Sequence, residues 1–121
     1  MTLSIPDNFE AYAVACARGE VRPGRVQVFE RTPPAHPRYI INFPTKRHWR
    51  DGSLIEDIDA GLSDLVNVLQ LRHIRSVAIP PLGCGLGGLD WEHVRPRIEL
   101  AMRQVPQVYA LLCESGHQPL R

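Results

Sequence analysis

Two short stretches carry residues able to do chemistry. The first, Ala78 to Trp91 (AIPPLGCGLGGLDW), places Gly83, Gly85, Gly87 and Gly88 within six positions. Its backbone is therefore free to take positive φ and to offer N–H groups with no Cβ in the way. A β-branched run, Ser76 to Ile79, precedes it and the helix-capping side chain of Asp90 follows, so the order is strand, glycine-rich loop, helix start. Amides presented in that setting suit a phosphate. Pro80 and Pro81 withdraw two amides and stiffen the approach, whereas a plain connection is usually shorter and more polar. The second stretch, Asn42 to Arg50 (NFPTKRHWR), leaves a strand-like run at Pro44 and continues through Thr45, Lys46, Arg47, His48, Trp49 and Arg50. With Arg38 these cations make a local basic cluster, open to two readings: a surface for an anionic ligand or nucleic acid, or a solvated loop.

The elements that must position these loops follow from periodicity. Ser53 with Glu56 reads as a capping box that starts a helix running to Leu71, and Leu54, Ile55, Ile58, Leu62, Leu65, Val66 and Leu69 hold a helical period along it. Ahead of it, Asp7 or Asn8 caps a helix to Arg18 with Phe9, Tyr12, Ala13 and Cys16 on one stripe. Val26 to Phe29 is a short strand, and Thr32 to Pro37, with three prolines, is an exposed connection free to vary. Tyr39 to Phe43 is a strand without clean alternation, as expected when both faces are covered, and Arg75 to Ile79 is the next. A helix opens near Asp90 and Trp91 with Pro96 in or near its first turn, Val108 to Leu112 is the last strand, and Glu114 to Arg121 is a polar tail. Strands alternating with long helices define a layered α/β domain, in which ligands sit at loops following the carboxyl ends of strands. Both chemical stretches meet that condition.

At 121 residues, 44% apolar and 22% charged, the chain is sized for one domain with a modest core, and its formal charge of +1 marks no strongly basic or acidic partner. Cys16, Cys84 and Cys113 are odd in number and form no C-x-x-C pair, which argues for a reducing compartment and against a zinc site. Met1 to Glu10 lacks a signal-peptide pattern and no run is apolar enough to span a membrane, so a cytoplasmic setting is expected. Cys84 lies inside the glycine loop but has no His or Asp placed as its base, and is read as a packing residue. Trp91 is read as core. Trp49 is open between a stacking surface for a base and a cover for the long helix, with His48 beside it as a hydrogen-bond donor.

Taken together, Asn42 to Arg50 and Ile79 to Trp91 resemble the macrodomain family, and within it the DarG-type macrodomains, the antitoxin halves of DarT/DarG pairs. Phe9-x-x-Tyr12 with Cys16, Arg18 to Val21 and Pro23-Gly24 extend the resemblance over nearly the whole chain. It implies a three-layer α/β/α fold with a mixed sheet, and an ADP-ribosyl glycohydrolase that removes ADP-ribose from thymidine in DNA. Lys46 takes the catalytic place; Pro44, Thr45, His48, Trp49, Pro81, Leu82, Gly83, Cys84, Gly85, Leu86, Gly87 and Gly88 line the ADP-ribose. No metal or other cofactor is implied. Gly88 stands near the place where a related glutamate-directed enzyme carries an aspartate, which points to the DNA-type acceptor. Lys46 has two open roles beside the distal ribose: a nucleophile, whose pKa Arg47 and Arg50 would lower by repulsion, or a charged group stabilising developing charge.

The resemblance also implies that a complete macrodomain begins well before the segment matching Met1, with two further strands, one of them central in the sheet, and half of the nucleoside contacts. Two outcomes are then expected for Tyr39 to Phe43 and Arg75 to Ile79: they close up on each other, or a second polypeptide, a homodimer or partner chain, fills the gap. The alternative function is a catalytically impaired remnant that binds ADP-ribose or serves structurally, and a DarT-like toxin is the partner that the family suggests.

Overall fold

The computed structural model describes residues 22–47 and 52–113. The expected first helix with Phe9, Tyr12 and Cys16, the polar tail, and the candidate residues His48, Trp49 and Arg50 lie outside them. Strand β1 (Gln27–Glu30) and strand β2 (Tyr39–Asn42) form an antiparallel hairpin in which Gln27 faces Asn42 and Glu30 faces Tyr39. Helix α1 (Ile55–Leu71) follows, then strand β3 (Ser76–Ile79), a single 3-10 turn at Gly85–Gly87, helix α2 (Trp91–Met102) and strand β4 (Tyr109–Leu112). β3 and β4 pair in parallel through α2, with Ser76 opposite Tyr109 and Ile79 opposite Leu112.

The core forms where the helical stripe of α1 meets that of α2. Ile58, Leu62, Leu65, Val66 and Leu69 are buried from α1, Val94, Ile98 and Ala101 from α2, and Ile79, Leu82, Val105 and Val108 close the cluster. Trp91 packs against it, as its position suggested. The exposed faces of the helices are joined by an ion pair between Arg97 and Asp59. The Asp90 carboxylate caps α2 by accepting from the Glu92 amide at 3.1 Å and sets Trp91 as the first helical residue, as expected, which leaves Pro96 just past the first turn, in the second. An interior proline costs ~3 kcal/mol. Burying Val94 and Ile98 on either side, both with no exposed surface, contributes roughly 1.5–3 kcal/mol each, enough to keep the helix intact.

One other sequence expectation is corrected, and two gain detail. Ser53 does not cap α1: the cap position is Leu54, no side chain bonds there, and Leu54 itself is largely exposed. The 32–37 connection is mostly exposed, as expected, and its backbone is held at one end. Arg31, only 5% exposed, donates through Nη1 to the carbonyls of His36 and Pro37 at 2.9 and 3.3 Å, holding the hairpin bend from within. Finally, the sheet is mixed but divided. β2 and β3 do not pair; β1 and β2 form one two-stranded sheet, β3 and β4 another. Between them lies a cavity of about 540 Å³ lined by His36 to Ile41 on one wall and Ile74 to Ala78 on the other. Of the two outcomes expected, closing up is the one that did not occur.

Two contacts fix the end of β2 on α1. The Val26 amide, just before β1, donates to Asp64 of α1 at 2.8 Å, and the Phe43 ring, just after β2, lies on Gly61. A Cβ at Gly61 would overlap that ring, with the ring's Cε1 only 2.8 Å away. Gly61→Ala is therefore expected to lower the unfolding free energy by about 1–3 kcal/mol through overpacking, seen as a lower urea midpoint. An unchanged midpoint contradicts the contact.

Candidate functional site

Past Phe43 the chain turns at the buried Pro44 and runs through the half-buried Thr45 and Lys46 to an exposed Arg47. Arg47 reaches back to the first turn of α1, where its Nε and Nη2 donate to the two carboxylate oxygens of Asp57 at 3.0 and 3.1 Å. The Asp57 side chain is only 10% exposed and Arg47's 63% exposed, so the acid anchors and the base covers it. The hydrogen bond to Asp57, then its charge, holds the Arg47 guanidinium above its ordinary pKa range. A two-pronged contact of this kind fixes direction as well as distance.

The glycine loop is tied to the same helix start. The Ser53 amide donates to the Gly87 carbonyl at 2.8 Å, and Gly52 runs alongside, where a Cβ would stand 3.2 Å from that carbonyl. Gly87 has no room for a side chain because a Cβ there would run into Ser53 Oγ. Gly83, at φ +75°, is equally confined: a Cβ would meet Leu89 at 2.6 Å and Ile58 and Ser53 at 3.2 Å. The Ser53 amide is thus committed to the loop, and its hydroxyl is buried with no hydrogen-bond partner among the described residues.

Inside the loop, half of the amides are already used. Cys84 donates to Pro81, Gly87 to Cys84, Gly88 to Gly85 and Leu89 to Gly83, at 2.9 to 3.4 Å, which winds the 3-10 turn. The amides of Gly85 and Leu86 take no acceptor among the described residues, and both residues are exposed, Leu86 at 95%. Pro81 is half-buried and Leu82 belongs to the core. Cys84 is half-buried with its thiol near the Leu82 carbonyl, and burial, with a smaller contribution from Asp90, pushes the thiol pKa up, the opposite of an activated nucleophile.

Arg38, Lys46 and Arg47, the described members of the basic cluster read from the sequence, do not form one patch. Arg38 lies at the other end of β2 from Lys46, paired with Glu30 at 2.6 Å and stacked on Tyr39, whose ring Arg72 also approaches. Sequence reasoning missed Asp57 and Ser53 as the residues that gather the two loops. Asp57 did leave a trace: it is an acid on the buried face of α1, one residue before Ile58 and four before Gly61. Among the described residues no cluster of His, Cys, Asp or Glu is able to hold a metal, and no helix is long and apolar enough to cross a membrane.

A glycine-wound turn between a parallel strand and a capped helix, beside a lysine-bearing loop on the neighbouring strand end, is the arrangement of a macrodomain. The Macro domain family model matches residues 3–98, and the chain belongs to that family. It is similar to the macrodomain of Mycobacterium tuberculosis DarG, with a TM-score of 0.86 at 50% identity over 88% of this chain and 70% of that one. It is 47% identical to the DNA ADP-ribosyl glycohydrolase of Thermus aquaticus over 96% of its own length, and spans 32% of that relative's length. Thermosipho africanus DarTG, solved in complex with ADP-ribose, matches with a TM-score of 0.74 at 32% identity over 88% of this chain and 30% of that one.

The raised thiol pKa makes a chemical prediction. In a Cys16→Ser, Cys113→Ser background, iodoacetamide should alkylate Cys84 more slowly than it alkylates free cysteine at the same pH, with the rate rising only as the pH is raised further. Labelling faster than free cysteine at neutral pH would restore the nucleophile reading.

Proposed function

We propose that this chain is the hydrolase domain of a DNA ADP-ribosyl glycohydrolase, acting on ADP-ribose attached to thymidine in DNA. The observation that carries the reading is the joint anchoring of the Lys46 loop and the glycine loop on one helix start, through Asp57–Arg47 and Ser53–Gly87. The exposed amides of Gly85 and Leu86 are suited to the diphosphate, with Pro81 to Gly88 forming the wall around it. Pro44, Thr45, His48 and Trp49 belong to the same ligand surface.

Hydrolysis adds a water oxygen to the anomeric carbon, breaks its bond to the base nitrogen, and leaves the electron pair on the base, which then takes the proton. Negative charge grows on the departing base, and an ammonium held nearby stabilises it. Lys46 is read in that role, as an ammonium beside the departing base, with the neighbouring Arg47 engaged by Asp57. The chemistry needs no metal. A cytoplasmic setting and a DarT-like toxin partner complete the reading, supported by the likeness to DarG and DarTG proteins.

One observation favours a second reading, an ADP-ribose-binding domain with impaired turnover. β2 and β3 face each other across the 540 Å³ cavity, each paired on one edge only among the described residues, and backbone groups left in that state invite an added strand. A strand from a second copy or a partner chain would fill it and complete the site.

Calorimetry with ADP-ribose and hydrolysis of ADP-ribosylated single-stranded DNA separate the two. Turnover that Lys46→Ala lowers by about 100-fold or more while ADP-ribose still binds supports the enzyme, since lost charge stabilisation acts on the transition state. Binding without turnover in the unsubstituted chain supports the second reading, and turnover that survives Lys46→Ala removes the lysine from the mechanism.

A further inference from the structure

We infer that Asp57 is a positioning residue of this site, setting the backbone that carries Lys46 against the glycine loop through its grip on Arg47. The inference rests on the reading of Lys46 as the catalytic group. Both carboxylate oxygens of Asp57 are engaged by one guanidinium, at 3.0 and 3.1 Å, in a side chain that is 90% removed from solvent. A carboxylate buried to that degree is costly without its partner, so Arg47 is held whenever the helix is formed. The planar guanidinium fixes orientation as well as distance, and Lys46 is the adjacent residue. The start of α1 therefore sets both sides: Asp57, in its first turn, holds the lysine loop, and Ser53, just ahead of the helix, holds Gly87. Neither Asp57 nor Arg47 needs to touch the ligand. Their effect is on where the amine stands when the sugar is bound, which is a requirement of turnover more than of affinity.

The test compares the full chain with Asp57→Asn, which keeps the shape and removes the charge, and with Asp57→Glu, Arg47→Gln and the Asp57→Asn/Arg47→Gln pair. Three quantities are read: kcat and KM on ADP-ribosylated single-stranded DNA, ADP-ribose affinity by calorimetry, and the rate at which trypsin cuts after Lys46 and Arg47. Asp57→Asn is expected to lower kcat by about 10- to 100-fold while the ADP-ribose Kd stays within about threefold. Trypsin should cut the 46–48 segment faster. The double variant should be no worse than either single one, because the two residues act as a unit, and Asp57→Glu should recover part of the turnover. Unchanged kcat and unchanged cleavage in Asp57→Asn overturn the inference, as does a loss of binding in proportion to turnover, the mark of general loosening. If the unsubstituted chain has no turnover, or if Lys46→Ala keeps it, the reading of Lys46 fails instead. The trypsin rates then still decide whether Asp57 holds the loop.

Discussion

The hydrogen bond from the Ser53 amide to the Gly87 carbonyl, 2.8 Å long, is the contact on which the rest of the site depends. It joins two segments more than thirty residues apart in sequence at the point where α1 begins, and the same turn of helix receives Arg47 on Asp57. Neither bond is strong by itself. A net backbone hydrogen bond contributes about 1 kcal/mol, and an ion pair whose basic partner is well exposed contributes little more. Their weight is geometric: each fixes a loop that local sequence alone leaves free, and both refer to the same rigid element. The core of α1, from Ile58 to Leu69, makes that element rigid.

The glycines of the loop answer two different demands. Gly83 and Gly87 are confined, with Ser53, Ile58 and Leu89 where a side chain would go, so they permit the loop to lie against the helix start. Gly85 and Gly88 stand in open space but at φ of +68° and +84°, so they permit the chain to wind the 3-10 turn. The first pair places the loop and the second shapes it. Between them the turn consumes the amides of Cys84, Gly87, Gly88 and Leu89 and leaves those of Gly85 and Leu86, both exposed residues, without an acceptor among the described residues, a narrower cradle than four glycines suggest.

Much of this was legible in the sequence, and the failures have physical causes. The apolar stripe of α1, the strand ahead of the glycine loop and the Asp90 cap were readable because each is set by neighbours within a few residues. Family membership was readable because two long motifs each combine unusual residue types in fixed order. Ser53 was misread as a cap because a hydroxyl three residues before a glutamate satisfies the local rule, while a bond to Gly87 that the rule does not see takes its place. Asp57 and Arg31 went unnoticed for the same reason. Each is a buried charge whose partner groups lie across a loop, and only the folded chain brings them together. The basic run that begins at Arg38 looked like one patch, but β2 lies between Arg38 and the Lys46–Arg47 pair, and Arg38 is paired with Glu30 at the far end.

The divided sheet is the counterpart of the anchored site. β3 leads into the glycine loop and β2 into the lysine loop, on opposite walls of the cavity between the two ladders, and both loops are held at the start of α1. The most direct measurement is a crystal structure of the chain with ADP-ribose. The account predicts the diphosphate on the amides of Gly85 and Leu86, with the Lys46 amine within hydrogen-bonding reach of the terminal ribose. A ligand bound away from the glycine turn, or a Lys46 amine facing away from the sugar, would contradict it.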